Sequence, residues 1–111
     1  MHDDDPESYE YTVRAAFDNP ALAESWVAWL RDGHAAEVLA AGARRAVIVR
    51  LDADGDGERY EVRYTFPSEA AFRAYERDHA PRLRAEGVRR FPPSAVRYAR
   101  SNGRVIWSSP A

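Results

Sequence analysis

The feature that most restricts the fold is a change of period at residues 17–22. From Tyr9 the chain alternates, with Tyr9, Tyr11, Val13, Ala15 and Phe17 on one side and Glu10, Thr12, Arg14 and Ala16 on the other. Period two in β-favouring residues makes a half-buried strand. Asp18-Asn19-Pro20 ends it: Asn19 can cap a helix, and Pro20 suits a first turn, where an N–H has no intrahelical partner. At about 100° per residue Leu22, Trp26, Trp29 and Gly33 then share one stripe. This helix runs to about Arg31, Asp32-Gly33 stops it, and His34 stands at the corner. A one-faced strand followed at once by a one-striped helix must bury the two against each other.

The change of period recurs along the chain. A short helix, Ala35 to Ala41, closes at Gly42, the residue that tolerates a left-handed cap. Ala43 to Leu51 reads as a strand, Asp52 to Gly57 as a turn, and Arg59 to Phe66 as the returning strand, with Tyr60, Val62, Tyr64 and Phe66 on one face. Ser68 caps another helix, whose stripe is Phe72, Tyr75, His79 and Leu83; Pro81 interrupts it near His79-Ala80, and Gly87 ends it. Phe91-Pro92-Pro93 leads into a strand around Ala95 to Arg100, and Asn102-Gly103 signals a turn or bulge before Arg104 to Trp107. The order β-α-β-β-α-β predicts an α+β, ferredoxin-like domain over residues 9–107, an antiparallel sheet with the helices on one face. Residues 1–8 read as a flexible acidic tail. Ala46, Ile48, Thr65 and Ala99 are assigned to the other sheet face, which is then too apolar for water. Sheet-on-sheet packing into a homodimer, a dimeric α/β barrel, would cover it.

Composition narrows the chemistry. The 111 residues contain no cysteine, which excludes disulfides, thiol nucleophiles and cysteine–zinc sites. All 16 basic residues are Arg, so Schiff-base chemistry and a P-loop are excluded as well. No apolar run reaches the roughly 20 residues that span a bilayer, and the first residues carry no secretory pattern, so a cytoplasmic location is expected. Residues 1–58 hold 13 acidic and 5 basic side chains, and residues 59–111 hold 5 and 11. That asymmetry fits an anion-binding surface or two complementary faces in a dimer. Glu61, Glu69, Glu76, Asp78 and Glu86 interleave with the arginines, and no RNA-recognition signature is present, so nucleic acid is not an expected partner.

Asp52-x-Asp54-Gly55-Asp56-Gly57 imitates the start of a calcium loop, but its twelfth position is Arg63 and its flanks are strands, so it reads as a hairpin turn. His34 and His79, with Glu37 or Glu76 nearby, lack the spacing that sets metal ligands on one helix face. No metal and no cofactor are expected. The histidines are either capping or core residues, or bases in a pocket. Trp26, Trp29, Tyr64, Phe72, Tyr75 and Phe91 are core, or core with a pocket whose polar tips converge. The pocket reading selects Trp26, Tyr64, Tyr75 and His79 around one cavity, with His34 at its rim.

The segment Trp26-x-x-Trp29-Leu30-x-x-x-His34, the Gly42 cap, Tyr64, the helix Tyr75-x-x-x-His79-Ala80-Pro81-x-Leu83-Arg84-x-Glu86 and Phe91 resemble a small bacterial family known only as a domain of unknown function. The similarity spans residues 9 to 107. It implies a dimeric ferredoxin-like α/β barrel and no particular reaction. Three functions follow: a dimeric domain binding a small apolar or aromatic molecule, a cofactor-independent oxygenase by analogy of fold, or a purely structural dimer.

Overall fold

The computed structural model describes residues 7–52 and 57–110. The alternating residues Tyr9–Phe17 form strand β1, whose odd-numbered side is buried, Val13 less fully than its neighbours. Helix α1, Pro20–Trp29, starts on Asn19, whose Oδ1 accepts from the backbone N–H of Ala21 at 2.9 Å and of Leu22 at 3.4 Å. The chain kinks at Gly33, as expected: Leu30–His34 is a wide turn in which Gly33 leaves helical geometry (φ 179°, ψ −40°), and a separate helix, α2, Ala35–Ala40, follows. Gly42 then takes φ +127°, the left-handed conformation anticipated for the cap.

Strands β2, Arg45–Arg50, and β3, Glu58–Phe66, follow. The Asp-Gly turn between them, residues 53–56, lies outside the described residues. Helix α3, Glu69–Asp78, begins on Ser68, whose Oγ accepts from Ala71 N–H at 3.1 Å. Pro81 divides it from α4, Ala80–Arg90. The backbone bends at His79, whose N–H donates to the Tyr75 carbonyl at 2.9 Å and whose carbonyl accepts from Leu83 N–H at 3.1 Å. Helix α4 passes through Gly87, the expected stop, and ends at Phe91. The last strand, β4, Val96–Arg104, likewise runs through Asn102-Gly103, because that pair is held in register against Tyr11 and Glu10 of β1.

The sheet order is β2-β3-β1-β4, every neighbouring pair antiparallel, which is the ferredoxin-like plan read from the sequence. Tyr9, Tyr11, Ala15, Phe17, Tyr60, Val62, Tyr64, Phe66 and Val96 join Trp26, Leu30, Val38, Phe72, Tyr75 and Leu83 in one core between sheet and helices. Among the described residues no helix is long and apolar enough to cross a membrane.

Two further expectations need correction. Ser8 does not belong to a loose tail: it is 1% exposed, its carbonyl accepts from Val105 N–H at 2.9 Å and its hydroxyl from Arg44 Nη2 at 3.4 Å. Ala46 and Ile48 do not lie on the outer sheet face. They pair with Tyr64 and Val62 and pack against the core, which puts Val47 and Val49 outside. The run Ala46-Val47-Ile48-Val49 is apolar at every position, so alternation could not say which pair faces inward. The outer face is largely polar. Glu61, 6% exposed, accepts from Arg14 Nε and Arg63 Nε, each at 2.9 Å, and Thr65 Oγ1 donates to Glu10 at 2.6 Å.

Candidate functional site

The register of the sheet leaves a hollow beneath the helices. On the helix side, Tyr64 of β3 and Tyr11 of β1 form one cross-strand pair, and the next pair is Val62 with Val13, which continues to Arg100 of β4. The pair after that is Tyr60 with Ala15, next to Tyr98. Two short β-branched side chains thus sit between tyrosines. Trp26, Trp29, Leu30 and His34 wall the hollow on one side, and Tyr75, Leu83, Arg84, Gly87 and Val88 on the other. The space is about 50 Å³ and opens outward beside Val88 and Arg100.

Of the residues the sequence nominated, Trp26, His34, Tyr64 and Tyr75 line this cavity, and His79 does not. Pro81 places His79 at the bend between α3 and α4, where its backbone joins the two helices, so it falls out of the Tyr75 and Leu83 stripe. Sequence reading missed Tyr11, Tyr98, Arg100 and, above all, Arg84. One signal for Arg84 was present: Ala80, Leu83, Arg84, Gly87 and Val88 follow i, i+3, i+4, i+7, i+8 spacing, and Arg84 is the one charge on that face.

The polar groups of the lining are unusual in being unmatched. Among the described residues, three buried side-chain atoms have no hydrogen-bond partner: His34 Nδ1, Tyr64 OH and Arg84 Nε. All three belong to residues lining the one cavity. Buried polar atoms are nearly always paired, and one left unpaired costs about 1–3 kcal/mol. Nη2 of Arg84 is engaged: it donates to Tyr11 OH at 3.1 Å and lies 3.7 Å from Glu76, and the guanidinium sits 5.6 Å from the Tyr11 ring centre.

Burial also fixes protonation. It lowers the His34 imidazole from 6.5 to about 4, against a smaller opposing pull from Glu86, so the ring is neutral at pH 7. It raises the Tyr64 hydroxyl well above its ordinary value, with Tyr75 and Tyr11 adding to the effect, and pushes the Tyr75 hydroxyl up to about 12. The lining therefore presents neutral phenols, a neutral imidazole and two guanidiniums, Arg84 and Arg100. No carboxylate lines it among the described residues.

One wall is built at the kink between α1 and α2. His34 stacks on Trp29 with ring centres 4.0 Å apart and planes 20° apart, and the pair faces both the cavity and an outer groove bordered by Glu37, Glu86 and Arg90. Across from it, a Cβ on Gly87 would stand 3.1 Å from Trp29 Cη2, so the glycine is what lets the indole lie against α4. Both rings are carried at this kink, Trp29 as the last residue of α1 and His34 just before α2.

The model of a domain of unknown function, DUF4286, matches residues 8–101. No curated protein matches the chain. Among solved structures, a dimeric ferredoxin-like protein from an uncultured marine organism is similar at TM-score 0.77 and 15% identity, over 92% of this chain and 98% of that one. SnoaB, a cofactor-independent oxygenase from Streptomyces nogalater, aligns in a mutant form at TM-score 0.63 and 17% identity, over 95% and 99% of the two chains. A hydroxynitrile lyase from Passiflora edulis aligns at TM-score 0.65 and 14% identity, over 95% and 99%. Proteins with an oxygenase's and a lyase's chemistry share this backbone, so the fold leaves the reaction open.

Proposed function

We propose that this chain, which belongs to the DUF4286 family, binds a small aromatic molecule between its sheet and its helices and does so as a homodimer. The observation that carries the reading is that the three partnerless polar atoms, of His34, Tyr64 and Arg84, all belong to residues lining one aromatic-walled cavity. A packed core would have paired them, whereas a ligand can pair them on arrival.

Size sets a condition. A cavity of about 150 Å³ is of the order that admits benzene, and this one offers about 50 Å³, room for a few waters or a polar head group. The space therefore takes a polar head group, with an aromatic body extending toward the exposed Val88 and Arg100. The test is a set of thermal melts with small aromatic compounds on the wild type and on Val13→Phe, which puts a ring into the hollow. Compounds that raise the wild-type melting temperature should leave the variant unmoved. Equal response of both proteins, or response of neither, contradicts the reading.

The homodimer rests on the outer sheet face. Val47 and Val49 lie there beside the Arg14–Glu61–Arg63 cluster, and Ile106 and Trp107 beyond β4 are 88% and 75% exposed. Trp107 borders a groove with Val47, Arg63 and Thr65, so a second sheet on this face would cover both. Light scattering at micromolar concentration should give twice the chain mass.

A second reading, a cofactor-independent oxygenase, draws on the neutral imidazole of His34 in the cavity lining as a proton acceptor. Its basicity counts against it. An imidazole at about 4 taking a proton from a phenol near 10 faces about 8 kcal/mol uphill. Binding is the better-supported role, and oxygen uptake with a phenolic compound that binds would reverse the order.

A further inference from the structure

We propose that the ligand of this cavity is an aromatic carboxylate, held head-first by Arg84, Tyr64 and His34. The inference rests on the small-molecule reading above and names the chemical class. The charge of the lining excludes a cation: two guanidiniums, Arg84 and Arg100, border the cavity and no carboxylate does among the described residues. The nearest acid to Arg84, Glu76, meets Nη2 at 3.7 Å and leaves Nε without a partner.

The three unmatched atoms fit an acceptor better than a donor. Arg84 Nε can only donate. Tyr64 keeps its proton and is 2% exposed, so its hydroxyl has a hydrogen to give. A neutral imidazole carries its hydrogen on either ring nitrogen, and an oxyanion selects the Nδ1–H form. A carboxylate offers about four lone-pair positions to these three donors. A neutral amide or alcohol brings fewer, together with hydrogens that Arg84 cannot accept. The volume of about 50 Å³ suits the head group alone. Val88 and Arg100, the exposed members of the lining, mark the mouth toward which the aromatic body would extend, alongside Tyr98.

The test compares benzoate with its uncharged isostere benzamide by NMR titration of the full chain, with naphthalene-methanol as a neutral aromatic control. The wild type should bind benzoate about 10-fold or more tighter than benzamide, the difference a charge-assisted hydrogen bond makes. Arg84→Gln should bring that ratio to about 1. Tyr64→Phe, which keeps the ring and removes the hydroxyl, should weaken benzoate several-fold while its spectrum stays dispersed. Equal affinity for benzoate and benzamide, or binding of the neutral control alone, overturns the carboxylate and leaves the small-molecule reading standing. No binding by any of the three overturns both. An unchanged ratio in Arg84→Gln removes Arg84 from the site.

Discussion

The buried imidazole of His34 should make the protein lose stability in mild acid, well before its carboxylates titrate. In the unfolded chain this histidine takes up a proton near 6.5, and in the folded protein only near 4. Between those values the unfolded state binds the extra proton, so stability is fully present above about pH 6.5 and falls as the pH drops toward 4. The full difference between 6.5 and about 4 corresponds to about 3 kcal/mol. The ring is half-buried, and water reaching one edge trims this, so about 2 kcal/mol is a fair expectation. Glu and Asp side chains with unfolded values near 4 contribute little above pH 5, which isolates the window from 6.5 to 5. His34→Phe keeps a ring stacked on Trp29 and removes the titrating group. Urea melts at pH 7, 6 and 5 should show the wild type losing one to two kcal/mol more than the variant. Parallel loss in both proteins would refute the burial of His34 as described.

Other substitutions probe the frame around the site. Trp26→Ala empties a large core volume against Phe17 and Tyr60 and should cost about 3–5 kcal/mol in chemical denaturation, with or without ligand. Glu61→Gln should cost about 1–2 kcal/mol at pH 7 by weakening its bonds from Arg14 and Arg63. Those bonds, Arg14 foremost, hold the Glu61 carboxyl below its usual range. Its contribution is therefore present above the unfolded value and is lost as the pH falls through the lower folded one, and the variant should lack that acid limb. Gly57 has φ +91°, and a Cβ there would meet the Phe17 carbonyl oxygen at 2.5 Å, so Gly57→Ala should lower stability by over about 1 kcal/mol. Gly103→Thr, in a strand position with nothing within 4 Å of its Cβ, should instead hold or raise the melting temperature.

The fold was legible because its elements announce themselves locally. β1 alternates without a break, and Asn19-Pro20 and Ser68 start α1 and α3 where the caps predict. Ends were less legible. Gly87 and Gly103 look like stops, but each is kept inside its element by tertiary contact, Gly87 under Trp29 and Gly103 opposite Glu10. The site was half legible. Trp26, Tyr64, Tyr75 and His34 could be nominated because an aromatic or titratable residue on an apolar face stands out in one dimension. The hollow itself depends on Val13 facing Val62 between taller pairs, a matter of register between strands far apart in sequence. Arg84 was passed over because an arginine on a helix ordinarily belongs to the solvated side. His79 was nominated by spacing that Pro81 broke.

The most direct measurement uses the three tryptophans as reporters. Trp26 and Trp29 wall the cavity, while Trp107 is 75% exposed and away from it. Their indole N–H signals in a proton–nitrogen NMR spectrum can be assigned by single substitution and followed as an aromatic carboxylate is added. Saturable shifts at Trp26 and Trp29, with Trp107 still, are the result expected of a ligand seated between sheet and helices. Shifts at Trp107 alone, or at none of the three up to millimolar ligand, would contradict a binding site in this cavity.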